Sequence, residues 1–445
     1  MPAPRLAPEI EGHWLFGSAR QLSRAPHRFM AEAALRHNGL AQFRMLHRRV
    51  LVVAAPEFAQ QILVSRWERY ARGAHNRNLA ILGGEGLLAT DGDFWLKRRR
   101  QLQPVFGREC FERLVPVVCA CVDRLLGQWE RAKRAPLAAD MQRLTMAAMG
   151  QMLLSADISE EESASLGAIL RDGLLLLRRR NTSLWAAPLW CPVPANRRLK
   201  RYNSELSAFV ERHVRVRENS RKTGDPDILS ALLAVRDPET GERLSHSELV
   251  DETKTLFLAG FETTAAALTW TLYLLARHPE VAEKWRAEVD VALGGQPPGW
   301  QHLQQLPYTA QIIHESMRLY PPVYAIGRRC VEADELGGFT IPKGSAVLIS
   351  IYGLHRAPVW GDDAHLFRPE RFAAEAAWPK RAYMPFAAGR HLCIGNHFAL
   401  VEMTVALARI AQRYRLALTD ETPVGESARI TLVPDREIHL RLEER

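Results

Sequence analysis

One cysteine of this sequence stands in a context that suits metal chemistry. Cys393 lies in the stretch Phe386-Ala-Ala-Gly-Arg-His-Leu-Cys-Ile-Gly395, directly before an apolar-periodic segment that predicts a helix. A thiol at the start of a helix meets unpaired N–H groups and the positive end of the helix dipole, and both favour the thiolate. Gly389 and Gly395 carry no side chain that would obstruct a flat, bulky group. A lone thiolate suits one axial position on a haem iron, and a buried structural cysteine is the alternative.

A second set of residues that could take part in chemistry lies within an apolar segment, residues 255–276. It includes the sequence Ala259-Gly260-Phe261-Glu262-Thr263. Burying the Glu262 carboxyl there is costly unless the group has a task. Thr263 can donate to the carbonyl one turn back and locally open the helix, which Gly260 weakens further. Such an opening leaves room for water and a diatomic ligand, and a kinked core helix with a satisfied threonine is the alternative.

Two further pairs of residues have helical spacing. Trp95 and Arg99 are four residues apart and can direct an indole N–H and a guanidinium at one anionic target, or they form a stacked pair on a surface helix. Glu315 and Arg318 are three residues apart and can form an ion pair. Downstream, the segment Phe-Arg-Pro-Glu-Arg371-Phe supplies a second arginine. Buried ions are tolerated only when every donor and acceptor is paired, so a buried cluster of such residues must be complete.

Length and composition favour a single large domain that spans residues 1–445. Of the 445 residues 47% are hydrophobic, and no composition break, repeat or low-complexity linker divides the chain. The six cysteines lack disulfide spacing, which predicts reduced thiols and a cytoplasmic location. Segment 255–276 contains Glu262 and five threonines, and the amino terminus lacks a signal peptide. We therefore expect a buried helix there and no transmembrane anchor.

The net charge of +9 includes basic clusters at residues 97–100, 178–180 and 197–201. These clusters lack a recognised fold motif and interleaved stacking aromatics, so nucleic-acid binding is not expected. Solvated surfaces are the default interpretation, and an acidic protein partner is the second.

The sequence pattern assigns most of these residues to helices. Helices are predicted to begin at Pro56 and near Trp95, and several more lie within residues 110–235 with a break at 181–196. Later helices are predicted to begin after the capping box at Ser245, at Pro279 and at Pro307. Strands are predicted at residues 40–44 and 50–54, a hairpin within 339–351, and a loop at 72–92. The fold class is therefore mainly α with small β-sheets.

These motifs together resemble those of the cytochrome P450 monooxygenases. The haem-thiolate signature of that family, aromatic-x-x-Gly-x-Arg/His-x-Cys-x-Gly, is matched by Phe386, Gly389, His391, Cys393 and Gly395. All the major motifs occur in the family's order between about residues 40 and 440. The resemblance implies a cytochrome P450 fold with a single haem domain, haem b as the cofactor, and Cys393 as the metal ligand.

The resemblance also implies roles for the other motif residues. Glu262 relays protons for oxygen activation, and Thr263 holds dioxygen or its water. The haem is contacted by Trp95, Arg99, Arg328 (with Arg329 as the fallback), His391, Phe386, Gly389, Gly395, Ala259 and Gly260. Glu315, Arg318 and Arg371 form an ion triad that supports folding and haem retention.

The implied activity is hydroxylation of a C–H bond in a lipophilic small molecule with one oxygen atom from O2. The substrate class is a fatty acid, a terpenoid, a steroid or a natural-product intermediate. By family position the pocket is formed by residues 72–92, a lid at 183–194, a turn near Leu432, and the side chains Leu256, Ala259, Val323 and Ala325. Two alternatives stay open: a haem-thiolate peroxygenase or hydroperoxide isomerase, and a non-catalytic haem sensor.

The implied electron donor is a separate protein of the ferredoxin or flavodoxin type. The chain ends soon after Cys393, so no fused flavin or iron–sulfur domain is expected. An acidic donor would suit a basic surface to which Lys97, Arg98, Arg100 and Arg390 contribute.

Overall fold

A computed structural model describes residues 5–46, 48–132, 134–183, 186–219 and 227–445. Its α-helices are α1 (Ala19–Arg24), α2 (Pro26–Leu35), α3 (Pro56–Gln60), α4 (Ala74–Gly83), α5 (Gly92–Leu102), α6 (Arg108–Ala132), α7 (Leu137–Leu154), α8 (Glu160–Thr182), α9 (Pro194–Asn219), α10 (Ile228–Ala234), α11 (His246–Arg277), α12 (Pro279–Leu293), α13 (Pro307–Leu319), α14 (Ile351–Leu354) and α15 (Asn396–Ala411). No helix among the described residues is long and apolar enough to cross a membrane.

The strands of the described residues are short, and all but one of them lie before α4 or after α13 in the sequence. They are β1 (Leu40–Met45), β2 (Arg48–Val53), β3 (Tyr70–Arg72), β4 (Arg134–Pro136), β5 (Ala325–Cys330), β6 (Asp334–Leu336), β7 (Phe339–Ile341), β8 (Ala346–Ser350), β9 (Tyr414–Leu418), β10 (Glu426–Ala428), β11 (Leu432–Pro434) and β12 (His439–Glu444). Five of them form a sheet in the order β1-β2-β8-β5-β3, in which β2 and β8 run parallel and the other pairs antiparallel. The mainly α fold with small sheets is confirmed.

Helix α11 is the central element of the core. The predicted capping box is present at its start, where Ser245 Oγ accepts from the Glu248 N–H and the Glu248 carboxylate accepts from the Ser245 N–H. The helix packs closely along α7 and also contacts α9, α13 and α15. Residues 252–258 and 264–275 are buried without interruption. A helix buried on all sides can hold a functional group at a fixed depth inside the protein.

Two predictions about local structure were wrong. Within the predicted loop at residues 72–92, the structure has helix α4, which ends where Gly84 takes a positive φ of 74°. The glycines of this stretch lie at or beyond the ends of the short helix and do not interrupt it, so the high glycine content wrongly indicated a loop. The predicted hairpin at 339–351 is also absent: β7 pairs with β6, whereas β8 joins β2 and β5. Partner choice between strands depends on tertiary packing that local patterns do not encode.

The predicted ion cluster forms and is buried. Glu315 and Arg318 on α13 share two hydrogen bonds, from Nε to Oε2 at 2.7 Å and from Nη2 to Oε1 at 2.8 Å. The remaining donors of Arg318 go to backbone carbonyls of His355, Ala364 and Leu366, so all five of its N–H groups are paired. Arg371 approaches Glu315 Oε1 at 3.5 Å. The cluster joins α13 to the segment that leads to the Cys393 loop.

Helix α15 carries a buried acid that the sequence motifs did not single out. Glu402 is fully buried where α15 packs against α11, and the hydroxyl of Thr264 is the polar group near its carboxyl. Burial raises the pKa of Glu402 to about 8, and Thr264 offsets this only in part. Glu402 therefore carries a proton at neutral pH in the folded protein.

We expect Glu402→Gln to remove part of the pH dependence of stability. Because the pKa of Glu402 is higher in the folded than in the unfolded chain, its contribution is complete below the unfolded pKa and is lost as pH rises towards 8. Within this window each pH unit should cost the wild type about 1.4 kcal/mol relative to the variant. Urea unfolding between pH 5 and pH 9 measures the difference, with Glu205→Gln on the surface of α9 as the control. Parallel stability curves for wild type and Glu402→Gln would contradict a neutral Glu402.

Candidate active site

The Cys393 loop is a tight structure between a 3-10 turn at Gly389–His391 and the start of α15. The Cys393 N–H donates to Phe386 O at 3.0 Å and closes the loop. Gly389 has a φ of 69°, and a Cβ there would lie 1.9 Å from Leu63 O. Glycine at 389 is therefore required by backbone geometry and by a neighbouring carbonyl. Gly395 has no protein atom near the position of a Cβ, so this side of the loop is open to a bulky group.

The environment of the Cys393 thiol differs from the prediction in one respect. The start of the helix was expected to lower its pKa. The Gly395 N–H and the Arg99 guanidinium do act in that direction, but the protein atoms packed around the loop outweigh both and raise the pKa of Cys393, although Cys393 itself is exposed. A metal ion bound at the sulfur would supply the charge that deprotonates the thiol.

A cluster of cationic groups lies beside this loop. Trp95 on α5 is 1% exposed, and its buried Nε1 has no hydrogen-bond partner. Arg99, one turn later, donates to Leu392 O at 2.8 Å, next to Cys393. Arg328 on β5 is 5% exposed and faces Arg72 directly across the β3–β5 pair. Trp95, Arg99 and Arg328 are thus brought together with the cysteine loop, as the sequence motifs predicted.

Arg72 is a member of this cluster that sequence reasoning missed. Its guanidinium donates to Leu87 O and Leu88 O, at 2.6 and 2.7 Å. Burial and the charge of Arg328 lower the pKa of Arg72 to about 10, and burial lowers that of Arg328 to about 10 as well. Like charges directly opposite each other on neighbouring strands are unfavourable. No local pattern around Arg72 marked it, because its partner is on a strand far away in the chain.

His391 is held by another missed residue, Asp91. His391 Nε2 lies 3.2 Å from Asp91 Oδ1, and the ring packs 4.4 Å from that of Trp95, centroid to centroid. Asp91 is the N-cap of α5 and also accepts from the Gly92 N–H at 2.9 Å and the Arg72 N–H at 2.5 Å. These hydrogen bonds hold the pKa of Asp91 far below its usual range. Aspartate is a typical N-cap residue, so the sequence pattern before Trp95 could have identified Asp91 as the start of α5.

The charges of this cluster fit a flat group with acidic substituents. Arg72 and Arg328 are close to one carboxylate, that of Asp91, and the half-buried Arg99 beside the cysteine loop adds a third guanidinium. A buried cationic excess is costly unless an anion balances it. The free Trp95 N–H adds a donor, and Cys393 adds a soft ligand for iron. The residues present therefore fit haem and its two propionates.

On α11, an accessible strip interrupts the buried surface in the middle of the helix. Ala259, Gly260 and Thr263 are partly exposed, although the residues on either side of the strip are buried. Thr263 Oγ1 donates to Ala259 O at 2.8 Å, one turn back, as predicted. The backbone stays α-helical through these residues, so the predicted local opening of the helix is not observed. The strip is therefore the part of α11 that stays accessible between two buried runs of the helix.

The remaining predicted pocket residues have differing environments. A Cβ at Gly260 would meet Met149 Sδ at 2.6 Å, so the glycine is needed for the close approach of α7. Leu256 is buried, Ala325 is half-buried on β5, and Val323 is exposed before that strand. Their predicted contacts with haem or substrate stay predictions.

Glu262 is buried and has a partner on the carboxy-terminal hairpin. Thr431, between β10 and β11, donates from Oγ1 to Glu262 Oε1 at 2.7 Å. Burial raises the pKa of Glu262 to about 7, against the opposing effects of Thr431, Arg429 and Arg171. A carboxyl group with such a pKa can both take up and release a proton at neutral pH. Thr431 was not identified from the sequence, which held no motif around it.

The basic surface expected to face an electron donor is only partly formed. Arg98 is 3% exposed and lies between Glu248 and Glu252 of α11, so it cannot contact a partner. Lys97 pairs with Glu242. Arg100 pairs with Glu239 and Asp237. Arg390, expected to be free, stacks over the ring of Trp67 at 4.3 Å.

The predicted lid at residues 183–194 is an irregular loop between α8 and α9 in its described part, and residues 184 and 185 lie outside the described residues. Asn196 at the start of α9 stabilises the loop by donating to Pro188 O at 2.7 Å and to Cys191 O at 2.9 Å. Trp190 is 78% exposed.

Comparisons with known proteins show which family this chain belongs to. The sequence model of the cytochrome P450 family matches residues 7–440. The chain is 33% identical over 407 residues to cyclooctat-9-en-7-ol 5-monooxygenase of Streptomyces melanosporofaciens, an alignment that covers 90% of this chain and 87% of that protein. It is 30% identical over 431 residues to pentalenene oxygenase of Streptomyces avermitilis, covering 96% and 95%. It is 30% identical over 419 residues to the chloroplastic protein LUTEIN DEFICIENT 5 of Arabidopsis thaliana, covering 88% and 69%.

These matches confirm the family resemblance that the motifs indicated. The match extends over nearly the whole chain and includes both the cysteine loop and the accessible strip of α11. The chain belongs to the cytochrome P450 family and is a P450 monooxygenase with a haem-iron cofactor.

Proposed function

We propose that this protein binds haem b and uses it to hydroxylate a lipophilic small molecule with one oxygen atom from O2. The observation that carries the proposal is the accessible strip at Ala259, Gly260 and Thr263, with the buried acid Glu262 beside it. A ligand bound at these accessible positions would lie next to a side chain that can take up and release protons. Peroxide-driven chemistry needs no proton supply to dioxygen and would leave the cost of burying Glu262 unexplained.

In this proposal the Cys393 thiolate would ligate the haem iron. Trp95, Arg99, Arg328 and His391 hold the propionates, and the loop residues Phe386, Gly389 and Gly395 pack beside the ring. When bound, the haem supplies oxygen activation, which electron donation from the thiolate favours. The protein supplies binding, orientation and protons.

We expect Arg328→Leu to weaken haem retention. The substitution removes a buried cation that balances the propionates, and removing one partner of a buried charge pair leaves the other uncompensated. Haem transfer to excess apomyoglobin should accelerate by about tenfold or more, the factor that corresponds to 1.4 kcal/mol. Arg329→Leu is the matched control, because Arg329 is the exposed neighbour on the same strand. Equal transfer rates for the two variants would contradict the assignment.

Glu262 and Thr263 act on protons and water in this proposal. Thr263 has a hydroxyl at the accessible strip that can hold water or dioxygen, and its own proton is placed by the bond to Ala259 O. Glu262, with its pKa raised to about 7, exists in both protonation states at neutral pH and can replace protons consumed at the strip.

The substrate that fits best is an apolar molecule. Leu256, Ala259, Val323 and Ala325 contribute aliphatic side chains to the proposed pocket, and apolar walls favour lipophilic ligands. The names of two relatives specify cyclooctat-9-en-7-ol and pentalenene. Cyclic hydrocarbon skeletons of this kind are therefore the first probes, with fatty acids and steroids as the alternatives.

Electrons come from a separate ferredoxin or flavodoxin-type protein in this proposal. Because Arg98 is buried and Lys97 and Arg100 are paired, we do not assign the docking surface to these residues. Reduction by a surrogate ferredoxin and by a surrogate flavodoxin, compared at low salt, tests the type of donor. The prediction of a cytoplasmic location stays a prediction.

The deciding experiment combines binding and turnover. The holoenzyme is titrated with pentalenene, a fatty acid and a steroid, and a low- to high-spin shift identifies a ligand. That ligand is then incubated with surrogate donor, NADPH and dioxygen labelled with oxygen-18. One labelled oxygen atom in an alcohol product supports the proposal. Product formed with peroxide alone, and none with reductant and dioxygen, would favour the peroxygenase alternative.

A further inference from the structure

The carboxyl of Glu262 is held by a residue far away in the chain. Thr431 Oγ1 donates to Glu262 Oε1 at 2.7 Å, and both side chains are buried. Thr263, the next residue on α11, instead directs its hydroxyl to Ala259 O of its own helix. Glu262 and Thr263, the two groups expected to deliver protons, thus have separate partners. The partner of Glu262 is Thr431.

The hairpin turn that carries Thr431 is fixed against the core on two sides. Trp270 Nε1 of α11 donates to Leu432 O at 3.0 Å, and the Leu432 N–H donates to Pro322 O at 2.9 Å. Tyr324 OH donates to Arg429 O at 3.0 Å. The position of Thr431 relative to α11 is therefore set by backbone anchors on both sides of it and does not depend on its own bond to Glu262.

Two arginines act electrostatically on Glu262, one from the hairpin turn and one from α8. Arg429 of the hairpin turn is half-buried, and Arg171 on α8 is exposed. Both guanidinium charges act on the Glu262 carboxyl and favour its ionised form. Arg171 also reaches α7, where it donates to Gln142 Oε1 at 3.0 Å. The exposed Arg171 and the half-buried Arg429 thus place charges that reach solvent within electrostatic range of Glu262, whereas Thr263 directs its hydroxyl to its own helix.

We propose that Thr431 is a positioning residue for the proton supply, whose hydroxyl holds the Glu262 carboxylate towards the Arg171–Arg429 side, where it takes up a proton from solvent. This inference rests on the role of Glu262 in the proposed function. A neutral carboxyl accepts a hydrogen bond more weakly than a carboxylate does. Uptake of the proton therefore weakens the bond to Thr431 and frees the carboxyl to turn towards the strip.

The proton balance of this step is simple. In each cycle Glu262 gains one proton from solvent and gives one proton to water at the strip, and it returns to the carboxylate that Thr431 binds. Thr431 keeps its own proton throughout. No bond between heavy atoms forms or breaks, and nothing is oxidised or reduced in this step.

The first test measures the protonation of Glu262 directly. Infrared difference spectra of the holoenzyme are recorded between pH 5 and pH 9, and the Glu262 carboxyl band is identified by its loss in Glu262→Gln. In Thr431→Val, which keeps the shape but loses the hydroxyl, the midpoint should rise by about one pH unit, a tenfold higher proton affinity. Thr431→Ser should restore the wild-type midpoint. An unchanged midpoint in Thr431→Val would overturn the proposal.

A matched control and a second variant keep this test decisive. Thr253→Val removes another buried hydroxyl from α11, one that donates to Leu249 O of its own helix, and should leave the Glu262 midpoint unchanged. If Thr431→Val is not recovered folded, Tyr324→Phe loosens the hairpin anchor while Thr431 stays intact. Its midpoint should rise in the same direction. A midpoint equal to that of the wild type in Tyr324→Phe would then count against the proposal.

The second test separates positioning from a purely structural role. With a ligand found in the spin-shift titration, Thr431→Val should release a larger share of the reduced dioxygen as hydrogen peroxide, and its pH profile of turnover should shift upwards with the infrared midpoint. A merely structural Thr431 would lower the unfolding temperature and move neither quantity, and that result would refute the inference. If the protein hydroxylates no probe, the proposed function fails while the infrared titration still decides the role of Thr431.

Discussion

Replacing Cys393 with serine should abolish both the thiolate-type haem spectrum and the monooxygenase activity of this protein. The reduced, carbon-monoxide-bound form should lose the red-shifted Soret band, because a serine oxygen cannot replace the thiolate as an axial ligand. Monooxygenase turnover should fall by about 1,000-fold or more, which corresponds to about 4 kcal/mol in the barrier. The loop itself should survive, because the backbone bond from residue 393 to Phe386 O and the turn at Gly389 do not involve the sulfur.

Cys191→Ser is the matched control for this experiment. Cys191 is a half-buried cysteine in the loop before α9, away from the cysteine motif in sequence, and its replacement should leave the spectrum unchanged. The unfolding temperature of both variants without haem separates ligand loss from misfolding. A red-shifted band that persists in Cys393→Ser would show that another residue ligates the iron.

Breaking the ion triad should cost the most stability. In Arg318→Leu the Glu315 carboxylate loses both hydrogen bonds from the guanidinium, and three backbone carbonyls lose a donor. Removing one partner of a buried pair leaves an uncompensated charge, at a cost of about 3–5 kcal/mol. Arg371 approaches Glu315 at 3.5 Å and cannot replace these bonds. Urea unfolding of the holoenzyme measures the loss of free energy.

The surface pair Arg215–Glu211 on α9 provides the comparison. Its atoms lie 2.6 Å apart, but Arg215 is exposed, so Arg215→Leu should cost less than about 1 kcal/mol. Similar losses for the two leucine variants would show that the triad is not essential for folding. If Arg318→Leu cannot be purified in a folded state, Arg371→Leu retains the Glu315–Arg318 bonds and should give an intermediate loss.

Local sequence patterns were sufficient for most helices and for the motif residues. The capping box at Ser245 and the proline starts at 279 and 307 depend on atoms within a few residues, and the structure has each of them. The same patterns were insufficient for α4 and for the strand partners of β7 and β8. Strand pairing is a choice among distant segments, which burial and packing decide.

The site shows the same division between local and distant contacts. Spacing along α5 predicted that Trp95 and Arg99 share one side of a helix, and the structure places both beside the cysteine loop. Arg98, one position earlier, was expected at the surface and instead pairs with acids of α11. Adjacent helical residues differ by 100° in direction, and only the packing of α5 on α11 decides which of them is buried.

The sequence by itself determined the family, the cysteine motif, the acid–hydroxyl pair of α11 and the Glu315–Arg318 pair, because each is a set of residue types at short, fixed spacing. The tertiary structure alone decided which groups those residues meet. It set Arg72 against Arg328 across two strands and Asp91 against His391, and it placed Thr431 on Glu262 across 169 residues of chain. Contacts of this kind depend on how complete elements pack, and no local periodicity encodes them.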